Sequence, residues 1–388
     1  MKKVSFTALF CAALCILLPG CAASIYTDSR EVETLELIRT VGIDAEASGT
    51  ALTVSTGLSG EGEKPKLYRL TASTAAEGTQ LLSNHFAHGD AFFAHTEHIL
   101  IGENAARSGI SGYLDYVARA QSLRLGTNVF IVRGADAADA MLLSLSDDTS
   151  ASDTLTSIKK DAPRLSEGYV YSVGEILTQT VKGEAALVMA VTPEENTVLT
   201  DENEALLAPA GYAVLRDGRL LGFVTGDAAS GVCILTGKAE SGAVSVPYAG
   251  GRCTLMLTKE KPSFAAQYGE TDIERVAVTV KLSLTLTEAD VRLRLEDEQT
   301  RRELEMLAAE EFKSRIVSAL SAAKELSADF CGIGGKIGQK TPLRFSRCET
   351  PWEEAFQSIP ITVEVRAELK RTFDVFDPIT GKDGENEQ

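Results

Sequence analysis

The sequence predicts an α+β fold in more than one part, with mixed and antiparallel sheets, packed helices, and a long helix across an antiparallel sheet in the C-terminal half. Three observations predict it. The chain has 388 residues, more than the ~100–200 usual for one domain. Residues 275–287 and 361–370 alternate apolar and polar side chains, the period of a strand with one buried face. Between them, Leu304, Leu307, Ala308, Phe312, Ile316, Ala319, Leu320 and Ala323 recur at helical spacing, predicting a helix over 298–326. A helix laid on a sheet is one of the few stable layer arrangements.

The elements follow in order. Met1-Lys2-Lys3 and the apolar run 4–18 form a secretory leader over residues 1–20, too short for a comfortable membrane span. It ends in Leu18-Pro19-Gly20-Cys21, the pattern of a bacterial lipobox, which makes Cys21 the expected lipidation site. Acyl chains on Cys21 would anchor the chain at ~0.8 kcal/mol per buried methylene. Residues 21–34 read as a tether. Residues 35–195 read as an N-terminal α/β region. It opens with an apolar segment at 36–43, and its strands fall at 50–57, 66–72, 98–102, 127–132 and 186–192. Its helices fall at 74–86, 103–120 (interrupted at Ser108-Gly109), 135–145 and 169–180. Residues 146–167 are polar and read as loop. Residues 193–204, with five acids and Pro193, read as a linker and a domain boundary.

The C-terminal domain is expected over 205–375. It opens with a hairpin in which Asp217-Gly218 joins 211–216 to 219–224, a strong type I′ turn signal. Further strands are expected near 231–236 and 252–258, then the alternating strands and the long helix. Residues 376–388 read as a solvated tail.

Charge and chemistry narrow the function classes. Thirty-eight Lys and Arg stand against 55 Asp and Glu, a net charge of −17, which excludes a general nucleic-acid binder. An acidic body is repelled by anionic headgroups, so the acyl group rather than a basic patch is expected to hold it at a membrane. Cys233, Cys253, Cys331 and Cys348 follow the anchor. In an exported chain they are candidates for up to two disulfides, with three connectivities open, and buried thiols are the alternative. His85, His88, His95 and His98 are all the histidines of the chain, and their spacing resembles metal ligands. They lack an HExxH frame or a fixed carboxylate partner, so structural or surface histidines are expected and no metal or other cofactor is assigned. The glycine-rich 332–341 stretch fits neither GxxxxGK[ST] nor GxGxxG and reads as a helix C-cap running into a turn. No GxSxG elbow is present, and the pairs Glu194-Glu195 and Glu353-Glu354 sit in charged, solvated contexts. No catalytic residue is assigned, so the chain is not expected to be an enzyme.

Several blocks, taken in order, resemble the Ger(x)C lipoproteins, the C subunits of spore nutrient-germinant receptors. They are Cys21 with Arg30-Glu31 and Val41-Gly42-Ile43-Asp44; the run 98–103 with Ala106 and Gly109; and Tyr116-Val117-Ala118-Arg119 leading to 129–134. Gly211-Tyr212-Ala213-Val214 with Leu221-Gly222-Phe223 comes next. Ala328-Asp329-Phe330, Gly332, Gly334 and the block Trp352-Glu353-Glu354-Ala355-Phe356 complete the series. The segment after Cys21 and the stretch Pro342-Leu343-Arg344-Phe345 depart from the family pattern, as do the four C-terminal cysteines. The resemblance implies an α+β fold and a non-enzymatic subunit, lipid-anchored on the outer face of the spore inner membrane. It implies two integral-membrane receptor subunits as partners. It does not imply a small-molecule ligand for this chain. A scaffolding role is expected, with the wet faces of 276–287 and 361–370 as docking candidates. The alternative is a substrate-binding lipoprotein of a membrane importer, which would need βα units in two lobes around a polar cleft.

Overall fold

A computed structural model describes residues 35–57, 65–83, 90–145, 149–181, 185–195 and 205–372. Cys21, the tether, His85, His88 and the 376–388 tail lie outside the described residues. Two mixed sheets carry the chain, as the α+β reading expects.

The first sheet has nine strands. β1 (Leu35–Glu46), β2 (Gly49–Thr56) and β3 (Leu67–Ala72) are successive antiparallel neighbours, followed by helix α1 (Ala75–Ser83). The short β4 (Asp90–Phe92) pairs parallel to the start of β1, and β5 (His98–Ile101) to its later part. Helices α2 (Glu103–Ser108) and α3 (Ser111–Arg119) lead to β6 (Asn128–Val132), parallel to β5. Helices α4 (Ala137–Leu143), α5 (Ala151–Leu165) and α6 (Val173–Val181) lead to β7 (Ala186–Glu195), parallel to β6. Parallel neighbours need such long crossovers. β8 (Ala205–Arg216) and β9 (Arg219–Val224) then close the sheet as antiparallel strands.

Helix α5 corrects the loop expected at 146–167. Its surface is polar, but Leu155, Ile158 and Ala162 fall on one buried face. Ser150 caps it: the Ser150 hydroxyl accepts from the Asp153 N–H while the Asp153 carboxylate accepts from the Ser150 N–H, a reciprocal capping box. The signal was there, but a short apolar stripe was outweighed by the charged residues around it. The expected helix start at 169 moves to Val173, because Tyr169 and Tyr171 lie in the preceding segment, where Tyr171 O accepts from Val129 N–H.

The central strands are buried on both faces. Ile99, Ile101, Val129 and Ile131 face one apolar cluster, and Leu100, Phe130 and Val132 face another that contains Met141, Leu155 and Ile158. Such strands read as continuous apolar runs, as His98-Ile99-Leu100-Ile101 does. The boundary expected at 193–204 does not separate the two sheets. β7 and β8 flank that stretch and pair with each other, Glu195 opposite Ala205, so 205–224 completes the first sheet. The Asp217-Gly218 turn is as expected: Arg216 faces Arg219, and both turn residues have positive φ, 51° and 71°.

Helix α7 (Gly226–Thr236) replaces the strand expected at 231–236. Every residue from Ala229 to Leu235 is buried. A helix enclosed on all sides has no amphipathic period, and a short apolar run cannot be told from a strand by periodicity. α7 sits between the two sheets, and Val232, Cys233 and Ile234 join them in one core. A Cβ on Gly231 would lie 2.2 Å from Arg315 O, so this glycine permits the close approach of the next long helix.

The second sheet runs β10 (Gly242–Tyr248), β11 (Gly251–Tyr268), β12 (Ile273–Ala289) and β13 (Ile361–Thr372). The first three are antiparallel. β13 is parallel to β12, which corrects a purely antiparallel reading of this region. The chain reaches β13 through α8 (Glu298–Glu325), α9 (Ile333–Lys340), α10 (Pro342–Phe345) and α11 (Trp352–Ser358), and so returns in the same direction. α8 is capped by Asp297, whose carboxylate accepts from the N–H groups of Gln299 and Thr300. Its stripe from Leu304 to Ala323 is buried as expected, with Leu307 at the margin. The glycine-rich stretch is not a C-cap. Gly332, at φ 66°, precedes α9, and Gly334, Gly335 and Gly338 lie within it.

Candidate docking surface

α8 covers one face of the second sheet. On that face Val276, Val278, Val280, Leu282 and Leu284 of β12 are at most 2% exposed. The opposite face bears no packed layer among the described residues. Its side chains are those of Lys259, Lys261, Ser263, Ala265 and Gln267 on β11, and of Arg275, Ala277, Thr279, Lys281 and Ser283 on β12. Thr362, Glu364, Arg366, Glu368 and Lys370 on β13 continue it. The docking candidates at 276–287 and 361–370 are therefore neighbours on one sheet, with β11 as a third contributor that the sequence did not single out. The strand register aligns Lys261 with Lys281 and Lys281 with Arg366. Three cations thus stand in a line across three strands. Glu364 pairs with Arg366 at 2.7 Å and Glu368 with Lys370 at 2.5 Å, each along β13.

Three buried polar nodes hold the scaffold, and each lies in a block of the family resemblance or beside one. At the end of β1, the Asp44 carboxylate accepts from Ala137 N–H at 2.6 Å and Ala138 N–H at 3.1 Å, fixing the first turn of α4. Burial, the largest influence, holds its carboxyl above the ordinary carboxylate range despite those donors. Before α9, Asp329 accepts from Ile333 N–H, Gly334 N–H and Trp352 Nε1–H at 3.0, 2.7 and 2.9 Å. Burial likewise raises its carboxyl. A Cβ on Gly334 would lie 2.2 Å from Trp352 Nε1, so this glycine seats the indole.

The third node surrounds His98, which is 1% exposed. Its Nε2 lies 3.0 Å from Thr156 Oγ1 on α5 and its Nδ1 3.2 Å from Asn128 Nδ2 on β6. Lys159 donates to Asn128 Oδ1 at 2.9 Å. Burial pushes the His98 imidazolium down to about 4, so the ring is neutral near neutral pH. The structure does not bring His95 to this ring's partners: His95 is exposed at the end of a short helical turn. Among the described residues no His, Cys, Asp and Glu side chains converge as a metal site.

The four C-terminal cysteines are free thiols. Cys233 lies on α7 with Sγ 3.2 Å from Tyr212 Oη, and burial pushes its thiol up to about 12. Cys253 is buried on β11, Cys331 before α9, and Cys348 is half-buried after α10. A cavity of 740 Å³ opens where α5, α7, α8 and β10 meet. Its two cations each face an acid, Arg164 to Glu240 at 3.7 Å and Arg315 to Asp227 at 3.8 Å, and Glu167 is a third acid in the lining, so no free cation is left there. No described helix is long and apolar enough to cross a membrane.

Residues 28–193 match the family model for the spore germination protein N-terminal domain. Residues 210–373 match that for the C-terminal region of spore germination B3/GerAC-like proteins. The crystal structure of the GerBC protein is similar at a TM-score of 0.57 and 15% identity, covering 85% of this chain and 97% of that one, which shows a shared fold. No curated protein sequence matches the chain. Two successive matches spanning most of the sequence, over a fold shared with GerBC, make this chain a member of the Ger(x)C spore germination family.

Proposed function

We propose that the chain is the C subunit of a spore nutrient-germinant receptor, a non-enzymatic scaffold tethered through Cys21 to the outer face of the spore inner membrane. It docks there on two integral-membrane subunits. The observation that carries this reading is the ordered pair of family matches behind the Leu18-Pro19-Gly20-Cys21 signal.

A tagged pull-down from detergent-solubilised spore membranes, beside a Cys21→Ala control, tests it. Two polytopic proteins are expected in the eluate and should be lost or depleted in the control. Recovery with an ATP-driven permease would instead favour the importer-lipoprotein reading.

A further inference from the structure

We propose that the bare face of the second sheet binds an anionic lipid surface and lays the body of the protein flat against the membrane. The net charge of −17 conceals this face. Lys259, Lys261, Arg275, Lys281, Arg366 and Lys370 share it with Glu364 and Glu368, and toward β10 the face continues with Arg252 and Glu288. Glu364 and Glu368 are taken up by neighbours on their own strand. Lys259, Lys261, Arg275 and Lys281 make no ion pair among the described residues.

The register makes the arrangement costly without a counter-charge. Like charges directly opposite one another on adjacent strands repel, yet Lys261, Lys281 and Arg366 occupy one cross-strand row. Glu364 already compensates Arg366, so the uncompensated repulsion lies between Lys261 and Lys281, and a layer of phosphates relieves it. The shape selects a plane over a groove. Ser263, Ala265, Ala277 and Thr279 are small side chains beside the row, so the long cationic side chains stand above a low, open surface. Adjacent strands are ~4.8 Å apart, so the row presents its charges at one level across ~10 Å. Acids more than ~8 Å from the face are largely screened at physiological salt.

The inference takes the membrane location from the proposed anchor, but the charge of the face does not depend on it. The test therefore uses the chain from residue 22, which lacks the leader and Cys21 and retains every described element. Its co-sedimentation is measured with phosphatidylcholine vesicles, with and without phosphatidylglycerol. Binding is expected only with phosphatidylglycerol and should fall as salt rises. Lys261→Glu with Lys281→Glu should weaken it by about tenfold or more, since each cation near such a surface contributes appreciably. Lys66→Glu with Lys313→Glu, away from the face, should leave it unchanged. Equal binding to both vesicles, no binding, or full binding by the Lys261→Glu/Lys281→Glu variant would overturn the proposal. Capture by polyglutamate without vesicle binding would also overturn it, assigning the face to an acidic protein. None of these outcomes bears on the pull-down, so the two readings fail separately.

Discussion

The two sheets of this protein solve the same problem in opposite ways. In the first, helices cover both faces of the central strands, and β5 and β6 are buried along their whole length. In the second, α8 covers one face and leaves the other to solvent, and β12 alternates buried and accessible residues. The first sheet places its polar groups in closed nodes around Asp44 and His98, with their partners inside the fold. The second displays its polar groups on an open surface. A doubly covered sheet has no open face for docking, whereas a singly covered one has a face to offer.

The largest expected effect tests whether the two are one folding unit. Phe312 is fully buried on α8, within the core that α7 shares between the sheets. Phe312→Ala should cost ~3–5 kcal/mol. Urea unfolding should still show a single transition, because the loss is felt by both sheets; two separated transitions would show that they unfold independently.

Next comes the closed polar node of the first sheet. The His98 pKa of about 4 lies below the ordinary 6.5. The unfolded chain therefore takes up this proton as pH falls through 6.5, while the native state resists until about 4. Stability from this group is full above pH 6.5 and is lost toward pH 4, by ~3 kcal/mol. The raised carboxyls of Asp44 and Asp329 act in the opposite sense, so the effect is read as a difference: His98→Gln should flatten the acid limb of the stability curve between pH 6.5 and 4.

A smaller effect is expected where the second sheet meets its short helices. Gly334→Ala places a methyl group against the Trp352 indole and should cost ~1–3 kcal/mol by overpacking. Trp352 fluorescence should shift as the ring leaves Asp329. An unchanged spectrum and urea midpoint would show that the indole is not seated by this glycine. The smallest effect belongs to the open face. Lys281→Thr removes the middle cation of the row and should raise the urea midpoint slightly by relieving cross-strand repulsion; a fall would show that Lys281 is held by a favourable contact.

Legibility followed the same division. The alternation in β12 and β13, the α8 stripe and the Asp217-Gly218 hairpin were readable because one exposed face leaves a period in the sequence. Helix α7 was misread as a strand because complete burial erases that period. Helix α5 was misread as loop because its stripe is short among charged residues. The glycines of α9 suggested a helix end, when Gly334 is in fact small to admit Trp352 from a distant segment. The basic row was invisible because Lys261, Lys281 and Arg366 are far apart in sequence and a chain-wide charge count averages them away.

The sequence by itself determined the α+β class, most of the strands, the long helix, the acidic balance and the family, since each is written in local patterns or in the order of short blocks. The tertiary structure alone decided that 205–224 belongs to the first sheet, that β13 returns parallel to β12, and that three cations share one row. Those features depend on strand partners and register. Register is set by which faces the helices cover, information distributed over segments that no single stretch of sequence contains.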